Sequence, residues 1–142
     1  MHLRFDGRLG FPGGLIDQGE DIEEALNREI QEEMGDGNPL VTAQDWMQTN
    51  FSKTENILLH FYCKELTKEE FFNLEKRGLQ AKEYGVEVLG LIRVPLYTRK
   101  RNNGGLPMFL KNNFAGNARE NLLRTLAVKN ILTAEEIEKC CI

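Results

Sequence analysis

The chain has 142 residues, 41% of them hydrophobic, which suits one compact domain and leaves no room for two. A formal charge of −4 excludes a global basic footprint for nucleic acid, so any RNA contact must be local. Three cysteines, neither an even disulfide set nor a two-spaced metal pair, suit a reducing compartment, and with no charged-then-apolar leader and no apolar run of membrane-spanning length the expectation is a soluble, intracellular chain.

At the beginning, MHLRF alternates as a strand does, Asp6-Gly7 is a turn signal, and RLGFPGG leads onward. The stretch from Gly13 to Gly35, GGLIDQGEDIEEALNREIQEEMG, then reads as a glycine turn, a short loop and one helix. Asp21 with Glu24 is a capping box at the helix start and Gly35 stops it, so the helix has about fourteen residues. At about 100° per residue, Ile22, Ala25, Leu26, Ile30 and Met34 form an apolar stripe, and Glu29 and Glu33 fall inside it. Glu24, Asn27, Arg28 and Gln31 take the outer face. Two carboxylates one turn apart on a core-facing side are too costly to leave ionised and unpaired, so they need a cation or a basic partner. Hard oxygen ligands grouped in this way suit Mg2+ or Mn2+, ions that also bind phosphate oxygens. Glu32 lies at the stripe's edge, and Arg28 can pair with it or with Glu24 as a positioner. The alternative is a solvated helix face.

Beyond the helix, residues 41 to 50 (VTAQDWMQTN) read as a strand, with Trp46 a core residue or, alternatively, a base-stacking one. NILLHFYCKEL, Asn56 to Leu66, is the clearest strand, and His60 within it reads as a satisfied strand histidine rather than a metal ligand. Thr67 with Glu70 caps a helix to Tyr84 whose Phe71, Leu74 and Leu79 give a partly apolar face. GVEVLGLIRVPLYT, Gly85 to Thr98, reads as a strand in which Glu87 is a lone carboxylate, by itself a surface position. The loop TRKRNNGG holds three consecutive basic residues, either a solvated loop or a local site for steering RNA or polyphosphate. Asn117 with Glu120 caps a helix to Ile131, Thr133 with Glu136 caps a final one, and the terminal KCCI reads as a frayed tail.

Gly14, Glu20, Arg28, Glu29, Glu32, Glu33 and Gly35, with Ile30 at the first aliphatic position, resemble the nudix box, GX5EX7REUXEEXGU. Only the last position departs, with Asp36 where an aliphatic residue is expected. At average residue usage a chance match is on the order of one in ten million. The flanks LRFDGRLGFPGG, HFYCKEL, GVEVLGLIRVPLYT and GGLPMFLKNNF are similar to the nuclear branch of nudix hydrolases typified by the U8 small nucleolar RNA decapping enzyme, also an inosine diphosphatase branch. The likeness runs from Met1 to Leu132.

Residues alone say mixed α/β. The resemblance implies the nudix α/β/α sandwich, a mixed sheet with the box helix on one side and a later helix on the other. It also implies a single nudix domain over residues 1–142, short at its N-terminus relative to the branch, with one or more N-terminal strands and a base-recognising histidine missing. The implied activity is water attack on a pyrophosphate linkage, in inosine di- and triphosphates and in the 5′ caps of small nucleolar RNA, helped by Mg2+ or Mn2+. Glu29 and Glu33 are the first metal ligands, Glu32 a third, and the Gly13 carbonyl completes the shell. Glu20 binds an outer metal or braces the loop, and Glu87 is a further ligand or the base that activates water. Arg4 and Phe11 contact the nucleotide, Phe11 by packing on the base, and Asn121 stands where relatives place a substrate-contacting glutamine. The branch further implies a nuclear location (nucleolus and nucleoplasm, with the cytoplasm second) and a homodimer. Asn50 and Arg124 replace a histidine and a glutamate that relatives carry near the metal. The box spacing here follows the general nudix pattern more closely than the branch's own, a shift that favours small nucleotides. The alternative is a noncatalytic nudix-fold module that binds RNA or protein, since the branch includes relatives that lost the box glutamates.

Overall fold

Alternation at the start of the chain and capped apolar stripes later on produce, in the computed structural model, short antiparallel strands and helices over the described residues, 1–99 and 104–141. They form two compact units, one of Pro12–Tyr84 and one of Met1–Phe11 with Gly85–Ile142.

In the unit that holds both ends of the chain, β1 (His2–Arg4) lies between β2 (Leu9–Gly10) and β5 (Val88–Leu91), antiparallel to both. The β1–β2 turn is set by Gly7, at φ +78°, and by Asp6 Oδ1, which accepts the Arg8 amide at 3.0 Å. The strand expected over Gly85–Thr98 is shortened to four residues. Gly85 turns the chain at φ +83°, and Pro95 has no amide to donate. The parallel pairing in this unit is one bridge between Leu9 and Phe114, where Leu9 N–H donates to Asn113 and Leu9 C=O accepts from Ala115.

Three helices follow: α3 (Leu106–Phe109), α4 (Ala118–Val128) and α5 (Ala134–Cys140). α3 has no counterpart among the expected elements; it starts from Gly105 at φ +67° with Pro107 in its first turn. The Asn117–Glu120 box does not form. Asn117 is not extended (ψ 16°), and its side-chain oxygen accepts from the side-chain Nδ2 of Asn121 at 3.2 Å instead. This helix ends at Val128 rather than Ile131, because Asn130 turns to φ +53° and Leu126 C=O accepts from both Ile131 and Leu132. The Thr133–Glu136 box forms in both directions. The apolar core joins Leu9, Leu106, Phe109, Leu110, Leu122, Leu126 and Cys140. Cys140 is therefore no part of a frayed tail: α5 carries it into the core, 4% exposed, and burial pushes its thiol pKa up.

The other unit is built around α1 (Ile22–Met34), which starts where Asp21 accepts the Glu23 and Glu24 amides and stops at Gly35, φ +84°. A Cβ at Gly35 would stand 2.8 Å from the Arg77 carbonyl. Asn27, expected on the outer face, is half-buried. Its amide donates to the Val41 carbonyl and its oxygen accepts the Val41 amide, both at 2.8 Å.

The strand expected over residues 41 to 50 begins late, as β3 (Trp46–Ser52), because Thr42 and Asp45 close a capping box over a 3-10 turn at Ala43–Asp45. β4 (Ile57–Tyr62) pairs antiparallel with it. Trp46 is 52% exposed and donates to Thr49 Oγ1 at 3.2 Å, which corrects its reading as a core residue. His60 is the satisfied strand histidine expected, with Nδ1 2.9 Å from Thr49 Oγ1. α2 (Lys68–Gly78) has its Thr67–Glu70 box but ends six residues before Tyr84, the chain turning at Leu79. Of its expected apolar face Leu74 is buried, while Phe71 and Leu79 are exposed.

Candidate active site on the box helix

The stripe of α1 turns Glu33 inward to 4% exposure, and a carboxylate so buried needs a donor. The Gly13 amide supplies it, to Glu33 Oε2 at 2.9 Å, pinning the glycine turn to the end of the helix. Gly14 leaves room for the next carboxylate, since a Cβ there would fall on Glu29.

Arg28 is the hub. Its Nε and Nη2 donate to the two oxygens of Glu20 at 2.9 and 3.1 Å, Nη1 donates to Glu29 Oε1 at 2.8 Å and reaches Glu32 Oε2 at 3.4 Å, and Nη2 also meets the Leu15 carbonyl. The expected positioner thus acts through Glu20, Glu29 and Glu32, not Glu24. Hydrogen bonds from Arg28 hold the Glu20 carboxyl below the usual range, and the carboxylates around Arg28 raise its own pKa. Glu20 braces the loop, accepting the Asp17 amide at 3.2 Å. Glu32 takes a second cation that the sequence reading missed: Lys82 Nζ donates to its Oε1 at 2.8 Å, and this bond, ahead of Arg28, lowers the Glu32 pKa. A contact across 50 positions leaves no local signal in the sequence.

Glu20, Glu29, Glu32, Glu33 and Gly13 are thus gathered in one unit, and Arg4, Phe11, Glu87 and Asn121 belong to the other. Half-buried Arg4 ends β1, Phe11 packs against the apolar core, and Glu87 is exposed in the turn before β5, its carbonyl accepting the Phe5 amide. Asn121 is buried on α4. In the basic loop Arg99 lies over the Tyr97 ring, while Lys100 and Arg101 fall outside the described residues.

The carboxylate oxygens of α1, with the main-chain carbonyl of the Gly13 turn that Glu33 anchors, have the chemistry a hard divalent ion takes. Those oxygens accept from the Gly13 amide, Arg28 and Lys82. Among the described residues, no three His, Cys, Asp or Glu side chains converge closely enough to hold a metal ion as they stand. No described helix is long and apolar enough to cross a membrane.

The profile of the Nudt16-like family, described as U8 snoRNA-decapping enzyme-like, matches residues 1–132. The chain belongs to that family. It is 46% identical to the U8 snoRNA-decapping enzyme of Mus musculus over 142 residues, which is 98% of this chain and 73% of the relative. It is 44% identical to the enzyme of the same name in Xenopus laevis, covering 98% and 68%. It is also 38% identical to the Tudor-interacting repair regulator protein of Homo sapiens, covering 96% and 65%. The family makes this a nudix hydrolase of α/β fold, with antiparallel sheets and helices, from a superfamily that generally uses divalent metal ions.

Proposed function

We propose that this chain is a nuclear hydrolase of pyrophosphate linkages that removes 5′ caps from RNA of the small nucleolar class and cleaves inosine-type nucleoside di- and triphosphates, with Mg2+ or Mn2+. The observation that carries the reading is the set of box carboxylates on α1, fixed by Arg28 and by the Gly13 amide. The U8 snoRNA-decapping enzymes at 44% and 46% identity support RNA caps as the substrate.

Glu29 and Glu33 would hold the first metal, with Glu32 and the Gly13 carbonyl completing the shell. When bound, the ion neutralises phosphate oxygens and lowers the pKa of a water. The chain's own part is placement. Gly13 N–H fixes Glu33, Arg28 orients Glu29 and joins it to the loop through Glu20, and Gly14 keeps the approach to Glu29 free of a side chain. Arg4 and Phe11 take the nucleotide, Asn121 contacts the substrate, and Glu87 accepts the proton of the attacking water or adds a ligand.

The test is hydrolysis of inosine diphosphate and of methylguanosine-capped RNA with Mn2+. Glu33→Gln should lower turnover about a hundredfold or more while the fold persists. Turnover unchanged in that variant would sink the assignment, and the substrate ranking separates nucleotide cleansing from decapping.

The 38% identity to a protein named as Tudor-interacting favours a second reading, a module that binds a protein partner without turnover. Full folding with no hydrolysis of either substrate would select it.

A further inference from the structure

Glu32 has a different cation on each carboxylate oxygen, Lys82 on Oε1 at 2.8 Å and Arg28 on Oε2 at 3.4 Å. The two cations are not equivalent. Arg28 also binds Glu20, Glu29 and the Leu15 carbonyl, so moving it would undo the loop. Lys82 has a side chain 69% exposed, and beyond Glu32 its ion pairing among the described residues is a long contact to Glu83, 3.7 Å. Its ammonium can move into water with little loss.

Main-chain geometry holds Lys82 in place. Glu83 N–H donates to the carbonyl of Glu32 at 2.9 Å, so the 82–83 segment grips the backbone and the side chain of the same residue. The segment is anchored in turn: Gln80 N–H donates to Arg77 C=O, and Arg77 donates to Asn38 just past the end of α1. That end of α1 has no basic residue in its last turn, and Lys82 supplies the positive charge that the exposed carbonyls there favour. An oxygen held by an ammonium is not offered to a hard cation, and the ammonium repels one nearby.

We infer that Lys82 is an internal counter-cation, a positioning residue that holds Glu32 Oε1 and must withdraw before a divalent ion can take that oxygen together with Glu29 and Glu33. Lys82 thereby sets the metal affinity of the site. The inference rests on the reading of Glu29, Glu32 and Glu33 as metal ligands.

The experiment is calorimetric titration of Mn2+ into the full chain, comparing wild type with Lys82→Met, Lys82→Gln and Lys82→Arg, each checked for fold by circular dichroism. The Met and Gln variants should bind Mn2+ about two- to fivefold more tightly at low ionic strength, the gap closing as salt screens the charge, and Arg should keep wild-type affinity. Equal or weaker binding in the Met and Gln variants would overturn the inference and leave the metal-site reading standing. Absence of Mn2+ binding in all four proteins would overturn both.

Discussion

The two units solve the problem of holding a chain together in different ways. In the unit of residues 1–11 and 85–141 the stabilising contacts are apolar: Leu106 is fully buried and Leu9, Phe109, Leu122 and Leu126 close around the same core. In the unit of residues 12–84 the buried apolar set is smaller, with Ala25, Met34, Val41, Leu74 and Ala81, and long-range polar ties add to it. Asn27 clips Val41, Arg77 holds Asn38, and Arg28 gathers the acidic residues. The contrast extends to single side chains. Buried Glu33 is given a backbone donor, whereas His2, 0% exposed, makes no hydrogen bond of ordinary geometry at either ring nitrogen among the described residues. Packing carries the first unit, while the second spends polar groups on its shape and gathers its acidic residues around Arg28 on α1.

The largest stability effect should come from the apolar side. Leu106→Ala should cost about 2–5 kcal/mol in urea unfolding, a loss nearly independent of salt; a loss that varies strongly with ionic strength would break the contrast. His2 comes next. Burial, joined by the nearby Met1 ammonium and Arg4, pushes its pKa from 6.5 to about 4, with the Phe11 backbone acting weakly the other way. The folded state keeps the ring neutral where the unfolded state takes up a proton. Stability is therefore full above pH 6.5 and falls by about 2–3 kcal/mol as pH drops to 4. His2→Leu should flatten this part of the pH profile of the melting temperature, and an unaltered slope would place the effect elsewhere. The smallest change should follow Asn27→Ala, which unpairs both backbone groups of Val41 and should cost about 1–2 kcal/mol by the same urea measurement. A loss as large as that at Leu106 would mean that the polar ties outweigh the packing.

What could be read in advance follows the range of the interactions. The box helix was legible to within a residue, because Asp21 and Gly35 act on their immediate neighbours, and so were the Thr67–Glu70 and Thr133–Glu136 boxes. The acidic face was legible too, since its residues share one helix. Trp46 and Cys140 were misplaced because exposure is decided by distant parts of the chain: a tryptophan on a two-stranded hairpin had nothing to bury it within the described residues, and a cysteine near the end was taken up by a core assembled from α3 and α4. α3 escaped notice because four residues are too few to show a period. Lys82 and Asn27 reach partners 50 and 14 positions away, and no local pattern announces such pairs.

Gly35 shows that the box is a composite of two kinds of instruction. Its acidic members and Arg28 specify charge, but its second glycine leaves space for the last turn of α2, whose Arg77 carbonyl would sit against any added side chain. A bulkier residue there would leave every carboxylate intact and still push the two helices apart, carrying with them the 82–83 segment that borders the acidic face. The motif's second glycine is thus a record of a neighbour, a clearance written into one helix for the passage of another.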